Sequence, residues 1–190
     1  MVMRDYFHSD DNLLVSWTID GDQRAYSELV RRYEKMVAGT VKGMLGNVQQ
    51  AEDVGQETFI RLYNSLSSFR GDSKLSTYIQ RIAINLSLNE LKRNKRFVSL
   101  FTRAKDTNDA TEREVADISS ESESDRDLKE ILEKSIEALP AEFKTIVVLR
   151  LILGYSTKES AEVLELPIGT VLSRLSRAKE QLKNEINNLM

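Results

Sequence analysis

Apolar residues recur along most of this chain at the three- and four-residue intervals of helices packed on one side, not at the two-residue alternation of strands. The pattern predicts helices near 10–19, 23–43, 49–66, 74–96, 127–138, 141–153, 157–165 and 169–188. With only 8 Gly and 2 Pro in 190 residues, few breaks interrupt them. The expected fold class is all-α. Asp22, after the Asp20-Gly21 break, is placed to cap the second helix, and Arg70–Lys74 has too many turn formers to be helical.

The periodicity stops once. Residues 102–126 hold only Val115 and Ile118 as large apolar side chains, too little buried surface to offset chain entropy. The expectation is two small helical domains, 1–98 and 127–190, joined by a flexible acidic linker over 99–126. Net charge follows the same division: +2, −4 and −1 for 1–98, 99–126 and 127–190, which gives the total of −3. An acidic chain binds free DNA weakly, because non-specific affinity comes from neutralised phosphates. A second factor would have to bring it to DNA.

Composition excludes much catalytic chemistry. There is no Cys, hence no disulfide, thiolate nucleophile or Cys-ligated zinc. The single His, His8, cannot build a His-based metal site alone. Neither a GxxxxGK(S/T) loop nor a GxGxxG loop is present. No cofactor or metal is expected. The N-terminus lacks the apolar run of a signal peptide and no segment has the length of apolar residues that spans a bilayer, so a soluble protein of the cytoplasm without membrane insertion is expected.

Two regions carry candidate chemistry. The first, LILGYSTKESAEVLELPIGTVLSRLSRAKEQL over 151–182, reads as a helix-turn-helix. Gly154 ends one helix, Thr157 or Ser156 caps the next, that helix buries Ala161, Val163 and Leu164, and Pro167 starts the turn. On the last helix Val171, Leu175, Ala178 and Leu182 face a core. Ser173, Ser176 and Arg177 fall opposite, with Thr170 and Arg174 on the flank. Small hydroxyls and guanidinium groups suit base edges and phosphates; an ordinary helical hairpin with a solvated face is the alternative. The second region, 75–97, sets an apolar stripe (Leu75, Ile79, Ile82, Ala83, Leu86) beside a polar one of Tyr78, Arg81, Asn85, Lys92 and Arg96. A ring, an amide and three cations in a row offer stacking, base-edge and phosphate contacts. A basic helix end favoured by the dipole is the competing reading.

In this order and at these spacings, GDQRAYSELVRRY (21–33), AEDVGQETFIRLY (51–63), FRGDSKLSTYIQRIAIN (69–85), KRNKR (92–96), LPAEFKTIVVLRLILGYS (139–156) and LPIGTVLSRLSRAKE (166–180) resemble the extracytoplasmic-function group of bacterial sigma factors. The resemblance covers nearly the whole chain. It implies a promoter-specificity subunit of bacterial core RNA polymerase that binds promoter DNA, has no catalysis of its own, and has an anti-sigma factor as a further partner. It implies polymerase docking by Asp53, Gln56 and Glu57. It implies −10 recognition, with a base turned out of the duplex, by Phe69, Arg70, Ser73, Tyr78, Arg81 and Asn85, and backbone contacts from Lys92, Arg93 and Arg96. It implies −35 contacts from Thr170, Ser173, Arg174, Ser176 and Arg177. Three positions depart from the family pattern: Tyr78 stands where many relatives have Trp, Leu172 where Arg or Lys is frequent, and Ser160 where an apolar residue is usual. A two-domain regulator that binds duplex DNA without polymerase is the rival class; a small helical enzyme is a more distant one.

Overall fold

The computed structural model describes residues 4–102 and 123–189, with side chains over 4–96 and 127–189. Among these, every regular element is helical: α1 (Asp11–Ile19), α2 (Gln23–Leu45), α3 (Val48–Ser65), a short 3₁₀ turn (Leu66–Ser68), α4 (Leu75–Thr102), α5 (Glu123–Ala138), α6 (Ala141–Val147), a π-helical turn (Val148–Ile152), α7 (Thr157–Leu164) and α8 (Ile168–Leu189).

Short polar side chains start the helices. The Asp10 carboxylate accepts from Leu13 N–H, Asp22 from Arg24 and Ala25 N–H, and Asn47 from Gln50 N–H. Each satisfies donors that a first helical turn leaves unpaired. Gly46, at φ +69°, ends α2 by donating its N–H to Lys42. Helices α1–α4 then close around Leu14, Leu29, Val37, Val41, Met44, Leu62, Leu66, Leu75, Ile79 and Ala83, all buried. Burying side chains of this size contributes about 1.5–3 kcal/mol each. One polar pair crosses that core: Gln80 Nε2 donates to Thr40 Oγ1 at 2.7 Å. Helices α5–α8 enclose Leu139, Val147 and Ala178, against which Ile136, Phe143 and Leu182 pack.

Two boundaries and one burial differ from the sequence expectation. The expected linker, 99–126, loses both ends to helix, since the backbone of α4 runs to Thr102 and that of α5 starts at Glu123; its centre, 103–122, lies outside the described residues. The single helix expected over 141–153 is α-helical only to Val147. Leu153 N–H then reaches back five residues to Val148 C=O, at 2.9 Å. The turn where the change occurs, Ile146–Leu149, is buried on every side, whereas Leu151 and Ile152 are exposed. Val147 belongs to the core of α5–α8, Val148 to that of α1–α4, and Leu149 to a cluster with Ile84 and Val163 that both groups share. Finally, α7 buries Ser160 with Ala161 and Val163, whereas Leu164 is only half-buried.

Candidate nucleic-acid interface

The turn between α7 and α8 sets the direction of α8. Ser156, not Thr157, caps α7. Its hydroxyl accepts from Glu159 N–H at 3.1 Å, and the Glu159 carboxylate accepts from Ser156 N–H at 2.8 Å. That reciprocal pair holds the Glu159 carboxyl below its ordinary pKa. At the other end Glu165 takes the left-handed conformation, φ 54°. Its N–H reaches Glu162 C=O and that of Leu166 reaches Ala161 C=O, the paired closure usually built on glycine. Pro167 C=O accepts from Thr170 and Val171 N–H and so opens α8. Val171, Leu175 and Ala178 are buried. Ser173, Ser176 and Arg177 are exposed, Thr170 half-buried, and Arg174 lies 3.4 Å from the Glu142 carboxylate. Exposed Ile168 and Leu172 (51 % accessible) share that outer face, so its N-terminal turns are more apolar than their Ser and Arg content indicates.

In the N-terminal group the loop from Phe69 to Ser73 turns at Gly71, φ +76°. The rings of Phe69 and Tyr78 meet at 5.1 Å, tilted 41°, both half-buried against the core. Opposite the loop stands α1, so that Asn12, Ser16 and Asp20 face Phe69, Arg70 and Gly71 across a shallow cleft. Sequence patterning missed this wall, because α1 is distant in the chain and its polar face reads as ordinary solvated surface. Asn85 is exposed on α4. Lys92, Arg93 and Arg96 are exposed near its basic end, Arg93 pairing with Glu90 at 2.8 Å. Arg81 is not with them. Its guanidinium donates to Glu162 C=O at 2.8 Å and lies 3.1 Å from the Glu165 carboxylate, leaving 27 % of its side chain accessible.

On α3, Asp53 and Gln56 are exposed and Glu57 is half-buried, paired with Arg61 at 2.8 Å. Ile60, 56 % accessible, continues the face that Gln56 and Glu57 begin, and exposed Tyr63 adjoins it. An apolar centre rimmed by polar groups is the anatomy of a protein-binding patch. The sequence signal for it was available: Ile60 lies four residues after Gln56, out of register with the buried stripe of Ala51, Val54, Thr58 and Leu62. Among the described residues no group of His, Asp or Glu side chains is arranged to hold a metal ion, and no helix is long and apolar enough to cross a membrane.

The family model for sigma-70 region 2 matches residues 29–97, and that for sigma-70 region 4 matches 129–182. The chain is 35 % identical to the ECF RNA polymerase sigma-E factor of Haemophilus influenzae, over 95 % of this chain and 97 % of that one. It is 34 % identical to the ECF RNA polymerase sigma factor SigW of Bacillus subtilis, over 89 % and 92 %. Among solved structures it superposes on CnrH, determined in complex with the cytosolic domain of CnrY, with a TM-score of 0.67 at 23 % identity, covering 94 % of this chain and 97 % of that one. The sigma factor RpoE of Bartonella quintana, determined in complex with the anti-sigma factor NepR, gives 0.64 at 20 % identity, covering 85 % and 96 %. These likenesses extend the shared fold across both helical groups. With both regions matched in order and the relatives aligned along nearly their full length, the chain belongs to the sigma-70 family and is an RNA polymerase sigma factor of the extracytoplasmic-function type.

Proposed function

We propose that this chain directs core RNA polymerase to a set of promoters by binding alone, with no catalytic step of its own, in the cytoplasm where polymerase and chromosome meet. Helices α1–α4 form the unit that docks polymerase and opens the −10 element, and α5–α8 the unit that reads the −35 duplex. Docking uses Asp53, Gln56 and Glu57 with Ile60 at the centre. The loop residues Phe69, Arg70 and Ser73 join Tyr78, Arg81 and Asn85 at the −10 element. There an extruded base would meet the aromatic pair and the Asn85 amide, so capturing it offsets the cost of unstacking. Lys92, Arg93 and Arg96 neutralise phosphates. In α8, Thr170, Ser173, Arg174, Ser176 and Arg177 approach the groove, as the second helix of a helix-turn-helix does.

One observation carries this reading beyond family membership: aromatic, amide and cationic groups line one loop and helix, while a separate exposed apolar patch sits on α3. Duplex binding needs only the former; a polymerase subunit needs both. The solved RpoE of Bartonella quintana is bound by an anti-sigma factor, which supports a similar partner here. Run-off transcription from promoters mapped after overproducing the chain, using core polymerase with and without it, tests the reading. Specific transcripts are expected only with the chain present. Equal transcription without it, or duplex binding unaffected by polymerase, would overturn the proposal in favour of a free-standing regulator.

A further inference from the structure

The first turns of α8 carry an apolar pair that the core does not use. Ile168 and Leu172 stand about one helical turn apart and are 50 % and 51 % accessible. The buried stripe of Val171, Leu175 and Ala178 lies on another side of the helix. Exposed Ser176 continues the ridge after Leu172, and exposed Lys179 and Lys183 carry it on over the following turns. Exposed Arg177 adjoins them. The centre of a protein-docking patch is depleted of charge, whereas cations interleaved with hydroxyls suit a groove lined by phosphates. In a helix-turn-helix the N-terminal residues of the second helix are the ones that meet base edges. Ile168 and Leu172 hold that place here. Their neighbours are already engaged within the protein. Ser173 Oγ donates to Thr170 C=O at 3.0 Å, so its proton is committed and only its lone pairs remain to offer. Arg174 is drawn aside toward Glu142, 3.4 Å away.

We propose that Leu172, supported by Ile168, is a specificity-determining residue that reads a thymine C5-methyl group in the major groove of the −35 element. This rests on the reading that α8 enters that groove. Among the four bases only thymine presents an apolar group there. Covering it with a leucine side chain removes apolar surface from water and needs no hydrogen bond. A guanine at the same step would turn N7 and O6 toward an aliphatic side chain, and both would lose water with no donor in return. Leucine therefore selects twice, for the methyl group and against guanine. Ser173 adds a compatible demand, since an acceptor in the groove suits the amino group of adenine or of cytosine. A methyl and an amino group together are presented by an A·T pair and by no G·C pair. The −35 element of this chain thus carries A·T under the first turns of α8, where a cation at position 172 would favour guanine.

The test uses polymerase holoenzyme formed with the full-length chain, on a mapped promoter that it transcribes. Each thymine of the −35 element, on either strand, is replaced singly by deoxyuridine, which removes the methyl group and leaves the pairing edge intact. Equilibrium binding of holoenzyme to each duplex is measured for the wild type and for Leu172→Ala, whose side chain stops at the β-carbon. At one position deoxyuridine should weaken wild-type binding about fourfold, the worth of one buried methyl group. Leu172→Ala should bind the unmodified promoter at least about fourfold more weakly and respond no further to deoxyuridine at that position, as two groups in contact do. Leu172 is exposed and alanine is a strong helix former, so the variant should keep its melting temperature and its affinity for core polymerase. An element without a methyl-sensitive thymine, or a deoxyuridine effect of equal size in wild type and variant, overturns the inference and leaves the proposed promoter function standing. Loss of core-polymerase affinity in Leu172→Ala overturns it too, because the apolar pair would then be a docking surface for protein. A wild-type chain that yields no specific transcript with core polymerase overturns the proposed function and this inference with it.

Discussion

Glu28 shows how much one side chain can fix. It accepts from Arg31 at 2.7 and 2.8 Å and from Arg32 at 2.9 Å, and Arg32 in turn donates to the carbonyls of Tyr6, Phe7 and Ser9 and pairs with Asp11. The first of these bonds, from Arg31, does most to hold the Glu28 carboxyl down to about 2, with Arg32 adding to it. A carboxyl depressed in the folded state stabilises fully above its unfolded pKa, near 4.5, and that contribution is lost as pH falls toward 2. Glu28→Gln should cost about 1–3 kcal/mol at pH 7, as loss of a half of a charged, hydrogen-bonded pair does. Urea melts should show the gap to wild type narrowing between pH 4.5 and 2. A gap independent of pH would count against the clamp. Asn85 is the opposite case, exposed and free of any packing role in the core. Asn85→Ala should leave stability within about 0.5 kcal/mol and polymerase binding intact. Open complexes should fall by about tenfold, the value of one lost base contact. A pre-melted −10 region should restore only part of that. Loss of polymerase binding as well would make Asn85 structural.

Helix α7 shows a balance between local and tertiary demands. Its Ser156 capping box satisfies the first-turn donors from within the segment. Ser160, one turn on, is fully buried with its hydroxyl lacking a partner. An unpaired buried hydroxyl costs about 1–3 kcal/mol, so Ser160→Ala should raise the melting temperature. Differential scanning calorimetry checks this, and an unchanged or lowered melting temperature would mean that the hydroxyl finds a partner such as water. On α3 the element-level prediction concerns a surface. Replacing Asp53, Gln56 and Glu57 together with Ala should weaken co-elution with core polymerase while circular dichroism stays the same, because none of the three contributes to the core. Loss of helicity in that variant would contradict the assignment.

At the scale of the whole molecule, two helical groups share one apolar cluster, Ile84 with Leu149 and Val163. Their coupling distinguishes this chain from two beads on a string. Unfolding should accordingly be a single transition for the wild type and should separate toward two for Gly43→Leu, whose β-carbon already presses on Val148 and Ile152 where the two groups meet. Circular dichroism and tyrosine fluorescence melts, the latter weighted toward particular helices, would reveal the separation. Coincident wild-type-like transitions in the variant would show that this contact adds little to stability.

The all-α class, the capped start at Asp22, the helix-turn-helix and the family were all legible in the sequence by itself, whereas the cap of α7 stayed open between Thr157 and Ser156. Each of these rests on energies between residues a few positions apart: a side chain against its own first turn, an apolar stripe at helical spacing, a motif in order. What covers each stripe was not legible, because a period of 3.6 identifies a face and not its partner. Gly39 and Gly43 read as weak points in a helix, and become a groove only against Val148 and Leu153. The run Ile146–Leu149 reads as one side of a helix, yet is buried on every side because two cores meet there, and its backbone widens to a π-turn. Glu165 occupies a left-handed position where local rules expect glycine, and there its carboxylate reaches Arg81. Contacts between positions some eighty residues apart depend on how finished surfaces fit. Tertiary structure alone settles that, and it decides here whether Arg81 faces DNA or the protein's own helix.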